Sequence, residues 1–271
     1  MTIATITLAS RARLAHLAQQ QARLQHVTGL ERIVVWLDAE APPAEVPATH
    51  VQHVPPDPGG MRLAAARNVG ARTAIELGCD RLVFLDADCV PGEELLPRYD
   101  DALRARPHGL LAGPVTYLPE SVAVTPSTDL AALTAPHAAR PSPAEGAVQD
   151  AEPEQQLLFW SLSFAVTAGT WQRIGGFDEA YVGYGAEDTD FAMRSADASA
   201  RLAWVGGAHA YHQYHPTSSP PWQHLDDILR NGGLFAERWG FWPMLGWLEA
   251  FEREGAVERV GDGWRRARGA R

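Results

Sequence analysis

Arg81-Leu-Val-Phe-Leu-Asp-Ala-Asp88 is an apolar run of strand length that stops on two carboxylates. A continuous apolar strand of this kind belongs in a parallel sheet covered by helices, and its carboxyl end is the edge where open α/β sheets bind ligands. In an extended segment residues i and i+2 share a face, so Asp86 and Asp88 point the same way. Such hard oxygen donors suit Mg²⁺ or Mn²⁺ bridging a diphosphate. Asp-x-Asp alone is a weak signal, because acidic turns after strands are common and merely solvated. Its place after an apolar strand is what gives it weight.

Outward from this strand, β-rich runs alternate with helical patterns, which predicts parallel strands joined by crossover helices. Ile3–Leu8 reads as the first strand and Ile33–Leu37 as a buried second one ending at Asp38. Between them Ser10 is a candidate N-cap for a helix with Leu14, Leu17 and Leu24 on its apolar face. Proline-rich Ala41–Pro58 reads as loop around a short strand near His50–Val54. Arg62–Leu77 is an alanine-rich helix closed by Gly78. A helix over Glu93–Ala105 and a strand around Leu110–Thr116 follow. From Pro119 to Pro153 periodicity dissolves, and the segment reads as a mobile or lid-like acceptor-side loop. Leu157–Thr167 reads as a strand, followed by a short helix ending at Gly175-Gly176, a helix over Ala186–Ala198 and a strand at Leu202–Val205.

The second informative stretch is Gly175-Gly-Phe-Asp-Glu-Ala-Tyr-Val-Gly-Tyr-Gly-Ala-Glu-Asp-Thr-Asp190. Gly183 and Gly185 flex a loop that delivers Glu187 and Asp188, either as a site facing the metal carboxylates or as acids decorating a helix N-terminus. Tyr184 between the glycines is placed to stack on a sugar or to pack in the core. Downstream, His209, His212 and His215 recur every three residues. One imidazole could complete a metal shell, and the spacing does not choose among them.

At 271 residues, 46% of them hydrophobic, the chain can bury one sizeable α/β core. A formal charge of −10 leaves no global basic face, which argues against a nucleic-acid partner. Cys79 and Cys89 form neither a CxxC nor a secreted disulfide framework and read as buried thiols in a reducing compartment. Neither a signal peptide nor a run of bilayer length is present, so the expectation is a cytoplasmic protein without a transmembrane segment. The tail reads as two helices, about Pro221–Trp239 and Trp242–Glu258. Its Trp222, Trp239, Trp242 and Trp247 point to core packing or a homodimer interface, because six nearby acids oppose an anionic membrane.

Asn68-Val-Gly70, Phe84-Leu-Asp-Ala-Asp88, Gly175-Gly-Phe-Asp-Glu179 and Gly185-Ala-Glu-Asp-Thr-Asp190 together resemble the signature series of glycosyltransferase family 2 and its galactosyltransferase-like relatives. The resemblance covers most of Ile3–Pro216. It implies a GT-A fold, a mostly parallel central sheet flanked by helices, with a helical C-terminal extension. Residues 1–217 would be the transferase domain, with a nucleotide- and metal-binding half over 1–118, the mobile loop over 119–156 and an acceptor half over 157–217; 218–271 would be the extension. It also implies a divalent cation, a nucleotide-sugar donor with UDP favoured, and a hydroxyl acceptor. By the family's pattern Asp38 would bind the nucleobase, Arg67 and Asn68 would lie near the nucleotide, and Asp88 would hold the metal. The histidine twenty-five residues beyond Glu187 is a ligand in similar enzymes, which selects His212 over His209 and His215. Asp188 would be the general base of an inverting transfer and Glu187 would position the acceptor. The chain departs from the family at Leu8-Ala-Ser-Arg11 and at Phe159-Trp-Ser-Leu-Ser163. The rivals are a nucleotidyltransferase and a non-catalytic nucleotide- or sugar-binding relative. A nucleotidyltransferase would lack a base on a mobile Gly-x-Glu-Asp loop, and intact Asp88, Asp188 and His212 argue against loss of catalysis.

Overall fold

The computed structural model describes residues 2–268. Its first strand, β1 (Ile3–Ala9), pairs in parallel with β2 (Leu30–Trp36), which pairs in parallel with β3 (His50–His53). Between β1 and β2 a 3₁₀ turn leads into helix α1 (Leu14–Leu24); Ser10 stands before that turn and makes no side-chain cap, contrary to its expected role. Helix α2 (Leu63–Glu76) then crosses back over β1 and β2. Its alanines are small because the helix lies close to the sheet: a Cβ at Gly70 would press on the methyls of Ile6 and Val35.

Strand β4 (Arg81–Leu85) has every residue buried and joins β1 in parallel. Its alternation divides the core, Leu82 and Phe84 packing beneath α2 while Val83 and Leu85 face the opposite layer. After Asp86-Ala-Asp88 the chain enters a small sheet as β5 (Cys89–Pro91), and α3 (Leu95–Ala105) seals the second layer with Leu95, Leu96, Tyr99 and Leu103.

The expected strand around Leu110–Thr116 is two strands, β6 (Leu110–Ala112) in the large sheet and β7 (Val115–Tyr117) in the small one. Gly113-Pro114 makes the break, since proline donates no ladder hydrogen bond and a Cβ at Gly113 would collide with the Ala208 carbonyl. The long segment that follows carries β8 (Val148–Asp150), which pairs antiparallel with a later strand at the sheet edge, and it buries Leu130 and Arg140. The strand expected over Leu157–Thr167 is shorter. Pro153–Leu158 is a 3₁₀ helix closed by a Glu152/Gln155 capping box, and only β9 (Ser163–Thr167) is extended.

Helices α4 (Ala168–Ile174) and α5 (Glu187–Asp197), strand β10 (Leu202–Val205) and strand β11 (Ala210–His212) complete the body. The large sheet runs β3-β2-β1-β4-β9-β6-β10-β8, with β9 antiparallel to both neighbours and β8 antiparallel to β10; the small one runs β5-β11-β7. This is a mixed α/β architecture with a large, mostly parallel sheet flanked by helices.

The tail differs from two helices. After α6 (Leu225–Trp239) and α7 (Leu245–Arg253) the chain forms a hairpin, β12 (Val257–Val260) and β13 (Gly263–Arg266), turning at Gly261-Asp262. Gly261 takes the positive φ that such two-residue turns demand. Trp239, Trp242 and Trp247 pack inside this region, whereas Trp222 is 44% exposed, so most of the tryptophans serve the core. No helix among the described residues is long and apolar enough to cross a membrane.

Candidate active site

The turn between β4 and β5, and the strand β11 that pairs with β5, bring three ligand-type side chains together. Asp88, His212 and His215 each offer one ligand atom, and these atoms lie within 4.8 Å of one another. His212 closes β11, which runs antiparallel to β5 with His212 opposite Cys89, so sheet register puts it next to Asp88. Its Nε2 lies 3.5 Å from Asp88 Oδ1, and His215 Nε2 lies 3.3 Å from Oδ2. Arg13, from the segment after β1, reaches the same Oδ2 at 3.1 Å.

Burial works against the Asp88 charge, yet His215, His212 and Arg13 hold its carboxyl down at about 2. Burial also lowers the pKa of His212, keeping the imidazole neutral. A carboxylate and imidazole nitrogens are donors that hold a divalent cation, and this donor set fits one. His209 is outside the group, its Nε2 sitting 2.7 Å from Thr116 Oγ1. The cluster therefore contains His215 as well as His212, a residue that spacing alone did not select.

Asp86 does not join the three. Its Oδ1 lies 3.8 Å from Arg67 Nη2, and the other end of the same guanidinium donates to Glu187 Oε1 at 3.2 Å. Arg67 is buried against the Phe177 ring at 4.9 Å, so one cation divides its charge between two acids from different elements. Asn68, its neighbour, is used up elsewhere. Its amide donates to the Phe177 carbonyl and to Glu179 Oε1, both at 2.9 Å, and accepts from the Phe177 N–H, bracing the 176–179 turn behind the site. Asp38 accepts from the Arg11 N–H at 2.6 Å at the mouth of the β1 and β2 edge.

Glu187 and Asp188 open α5, where the helix dipole favours acids. The residue before them, Ala186, is left-handed at φ 72°, an uncommon conformation for a residue with a Cβ and a local strain at the point where the acids are presented. Asp188 accepts from the Thr189 N–H at 2.7 Å and has no cationic partner among the described residues. Burial, then Glu187, pushes its carboxyl up to about 7, with Arg67 opposing. Burial likewise pushes Asp86 up to about 7, opposed by Arg67 and reinforced by Asp88, Glu187 and Asp188.

These shifts fix a pH dependence. Between the unfolded carboxylate value of about 4 and the folded value of about 7 the native state holds protons that the unfolded chain has released. The contribution of these two carboxyls to stability therefore falls as pH rises through that window. Asp188→Asn removes one of the offending charges, so at pH 8 it should raise Tm by about 2 °C, the equivalent of about 1 kcal/mol for a chain of this size, with little effect at pH 4.5. Melting curves at the two pH values check this, and an equal shift at both would contradict the assignment.

The C-terminal extension holds the approach to Asp188. Asp227 accepts from the Tyr184 N–H at 3.2 Å, and buried Asn231 donates to the carbonyls of Val182 at 3.0 Å and Tyr184 at 3.2 Å. Gly183 and Gly185 have positive φ and no room: a Cβ would meet Asp227 at one and Met244 at the other. Tyr184 itself stacks on His224 with centroids 4.4 Å apart. One turn into α5, Asp190 is fully buried and takes hydrogen bonds from Arg194, Arg238, Trp239 and Tyr181. Asp190, Asp227 and Asn231 thus tie the extension to the loop and helix that carry the acids.

A family model described as the N-terminal domain of galactosyltransferase matches residues 158–216, the part of the chain that contains Glu187, Asp188, His212 and His215. No curated protein matches the chain in sequence. Among solved structures the chain is similar to S. aureus TarS, at 14% identity and a TM-score of 0.59 over 88% of this chain and 39% of that one. It is also similar to GalNAc-T7, solved with UDP, GalNAc and Mn²⁺, at 12% identity and a TM-score of 0.51 over 88% of this chain and 50% of that one. TarS residues 1–349 in complex with UDP-GlcNAc match at 15% identity and a TM-score of 0.55, covering 80% of this chain and 60% of that one. The chain thus spans 39–60% of the length of these chains. It has the GT-A glycosyltransferase fold.

Proposed function

We propose that the protein is a metal-dependent, inverting glycosyltransferase of the family 2 type that moves a sugar from a nucleotide-diphosphate donor, UDP-sugar favoured, to an acceptor hydroxyl. The observation that carries this reading is the grouping of Asp88, His212 and His215 at the carboxyl edge of β4, on a GT-A sheet whose α5 begins with Glu187 and Asp188. A Mn²⁺ or Mg²⁺ ion held by Asp88, His212 and His215 would neutralise charge on the departing diphosphate.

The chain's own residues do the rest. Asp188 takes the proton of the acceptor hydroxyl as its oxygen attacks the anomeric carbon and the bond to the diphosphate breaks. Glu187, fixed by Arg67, orients the acceptor, and Arg67 keeps the two acids beside it from repelling each other apart. Tyr184, with the Gly183 and Gly185 backbone beneath it, borders the donor sugar. Arg67 and Asp86 face the nucleotide side, Asn68 supports them from behind, and Asp38 at the end of the second strand reads the nucleobase. In this reading 1–217 is the transferase domain, divided at 118 and 157, and 218–271 an extension. It works in the cytoplasm, and a second copy would pair through the C-terminal helices, where Trp222, Phe241 and Leu245 are exposed.

Thermal-shift measurement with nucleoside diphosphates tests the proposal, since a ligand that binds only the native state raises Tm. UDP should raise it in the presence of Mn²⁺ and much less in its absence. Equal shifts with and without metal, or none with any diphosphate, would sink the reading. The same assay tests Asp38: Asp38→Ala should level the responses to UDP, GDP and ADP while a Mn²⁺-dependent shift persists. An unaltered preference would leave Asp38 with only its hydrogen bond to Arg11.

A further inference from the structure

An aromatic strip leads away from the candidate metal cluster. Tyr117, at the end of β7, stacks on His212 with centroids 4.6 Å apart and meets His137 edge-on at 5.5 Å; His137 meets Trp160 edge-on at 5.2 Å. Tyr117 is 47% exposed, His137 is exposed and Trp160 half-buried, so the rings form an open surface rather than a core.

Trp160 is held by an unusual support. The buried Arg140 guanidinium lies 5.2 Å from the Trp160 ring and 5.0 Å from Trp204, and none of its three side-chain nitrogens has a hydrogen-bond partner among the described residues. Burying a guanidinium without an acceptor is costly, and the two cation–π contacts that offset it pin the indole plane. Trp160 also stands two residues before Leu162, whose carbonyl accepts from the Asp86 N–H, so it lies beside the Asp86–Asp88 turn.

The strip leaves the metal cluster on a different element from the residues proposed to face the nucleotide. Arg13 approaches Asp88 from the segment after β1, where Arg11 also binds Asp38, while Tyr117 extends from His212 on the β7 side.

We propose that Tyr117, His137 and Trp160 form the acceptor subsite and that the acceptor is a saccharide. A sugar ring offers an apolar C–H face to lie on these rings and leaves its hydroxyls free, one of them for Asp188. A polyanionic acceptor would need accessible cations, and the Arg140 nitrogens are sealed. A lipid would need continuous apolar surface, which His137 interrupts. The inference deepens the glycosyltransferase reading and rests on it.

A glycan microarray probed with the full chain in UDP and Mn²⁺ tests the subsite. Wild type and Asp188→Asn should bind a common set of glycans. Trp160→Ala and Tyr117→Ala should lose that signal by at least about tenfold, and Trp160→Phe, which keeps an aromatic face, should retain most of it. The Mn²⁺-dependent UDP thermal shift, recorded for every protein, should persist in the Trp160 variants. A blank array for wild type with that shift intact, or signals that Trp160→Ala leaves unchanged, would overturn the subsite. Absence of the UDP shift in wild type would instead overturn the underlying glycosyltransferase reading.

Discussion

Asp188→Asn should lower sugar transfer by roughly 10²–10⁴-fold, the usual worth of a general base, while UDP affinity stays close to that of wild type. The expectation follows from what surrounds this carboxyl. It has no cationic partner among the described residues, its nearest hydrogen bond comes from the Thr189 N–H, and burial pushes it up to about 7. A base with that value is half ionised near neutrality and strong enough to take a hydroxyl proton in the transition state. The amide keeps the volume and the backbone contact but cannot accept the proton. The rate should accordingly rise with pH toward 7 in wild type, and the residual rate of the variant should lose that limb. Near-wild-type turnover by Asp188→Asn would exclude it as the base, and loss of Mn²⁺-dependent UDP binding would make it a metal ligand instead.

The second large effect is expected at the metal cluster. Asp88→Ala should abolish the metal dependence of UDP binding and reduce transfer by more than about 100-fold, because even partners one step removed from a metal are worth about 10–100-fold. His212→Ala and His215→Ala should each follow in direction. The substitution also frees Arg13 from its 3.1 Å contact with Asp88, so some metal-independent UDP binding is expected to remain in Asp88→Ala through that arginine. Calorimetric titration of UDP with and without Mn²⁺ separates the cases. Identical titrations for wild type and all three variants would remove the cation site.

Where the chain announces its fold, it does so through long-range physical constraints that also act locally. Arg81–Leu85 and Leu202–Val205 are continuous apolar runs bounded by turns, and both are strands over those same residues. The carboxylates following β4 were legible for the same reason. Elements that depend on distant partners were not. The strand at Leu110–Thr116 divides because Gly113 passes against Ala208, nearly a hundred residues away, and β8 is a strand only because β10 offers it an edge. The closing hairpin carried its own signal in Gly261-Asp262 between alternating residues, but the adjoining helical pattern masked it.

The site divides along the same line. Asp88, His212, Glu187 and Asp188 could be named from motifs. His215 lies in the loop after β11, where no periodicity governs direction, and its ring returns to Asp88 only through the fold. Asp190 had no role assigned from the sequence; it is buried where Arg238 and Trp239 of the C-terminal helix donate to it. Asp227 and Asn231 gave no signal at all, since their work is to hold backbone carbonyls and an N–H more than forty residues upstream.

The most direct measurement is release of UDP from nucleotide sugars, with water as acceptor, because it needs no knowledge of the physiological acceptor. Purified protein with Mn²⁺ should release UDP from at least one UDP-sugar above the enzyme-free rate, and the freed sugar should first appear with inverted anomeric configuration by NMR. Chelation should stop the release, as should Asp88→Ala. No release from any nucleotide sugar, or release that persists unchanged in Asp88→Ala, would contradict the account, and a product of retained configuration would contradict the role given to Asp188.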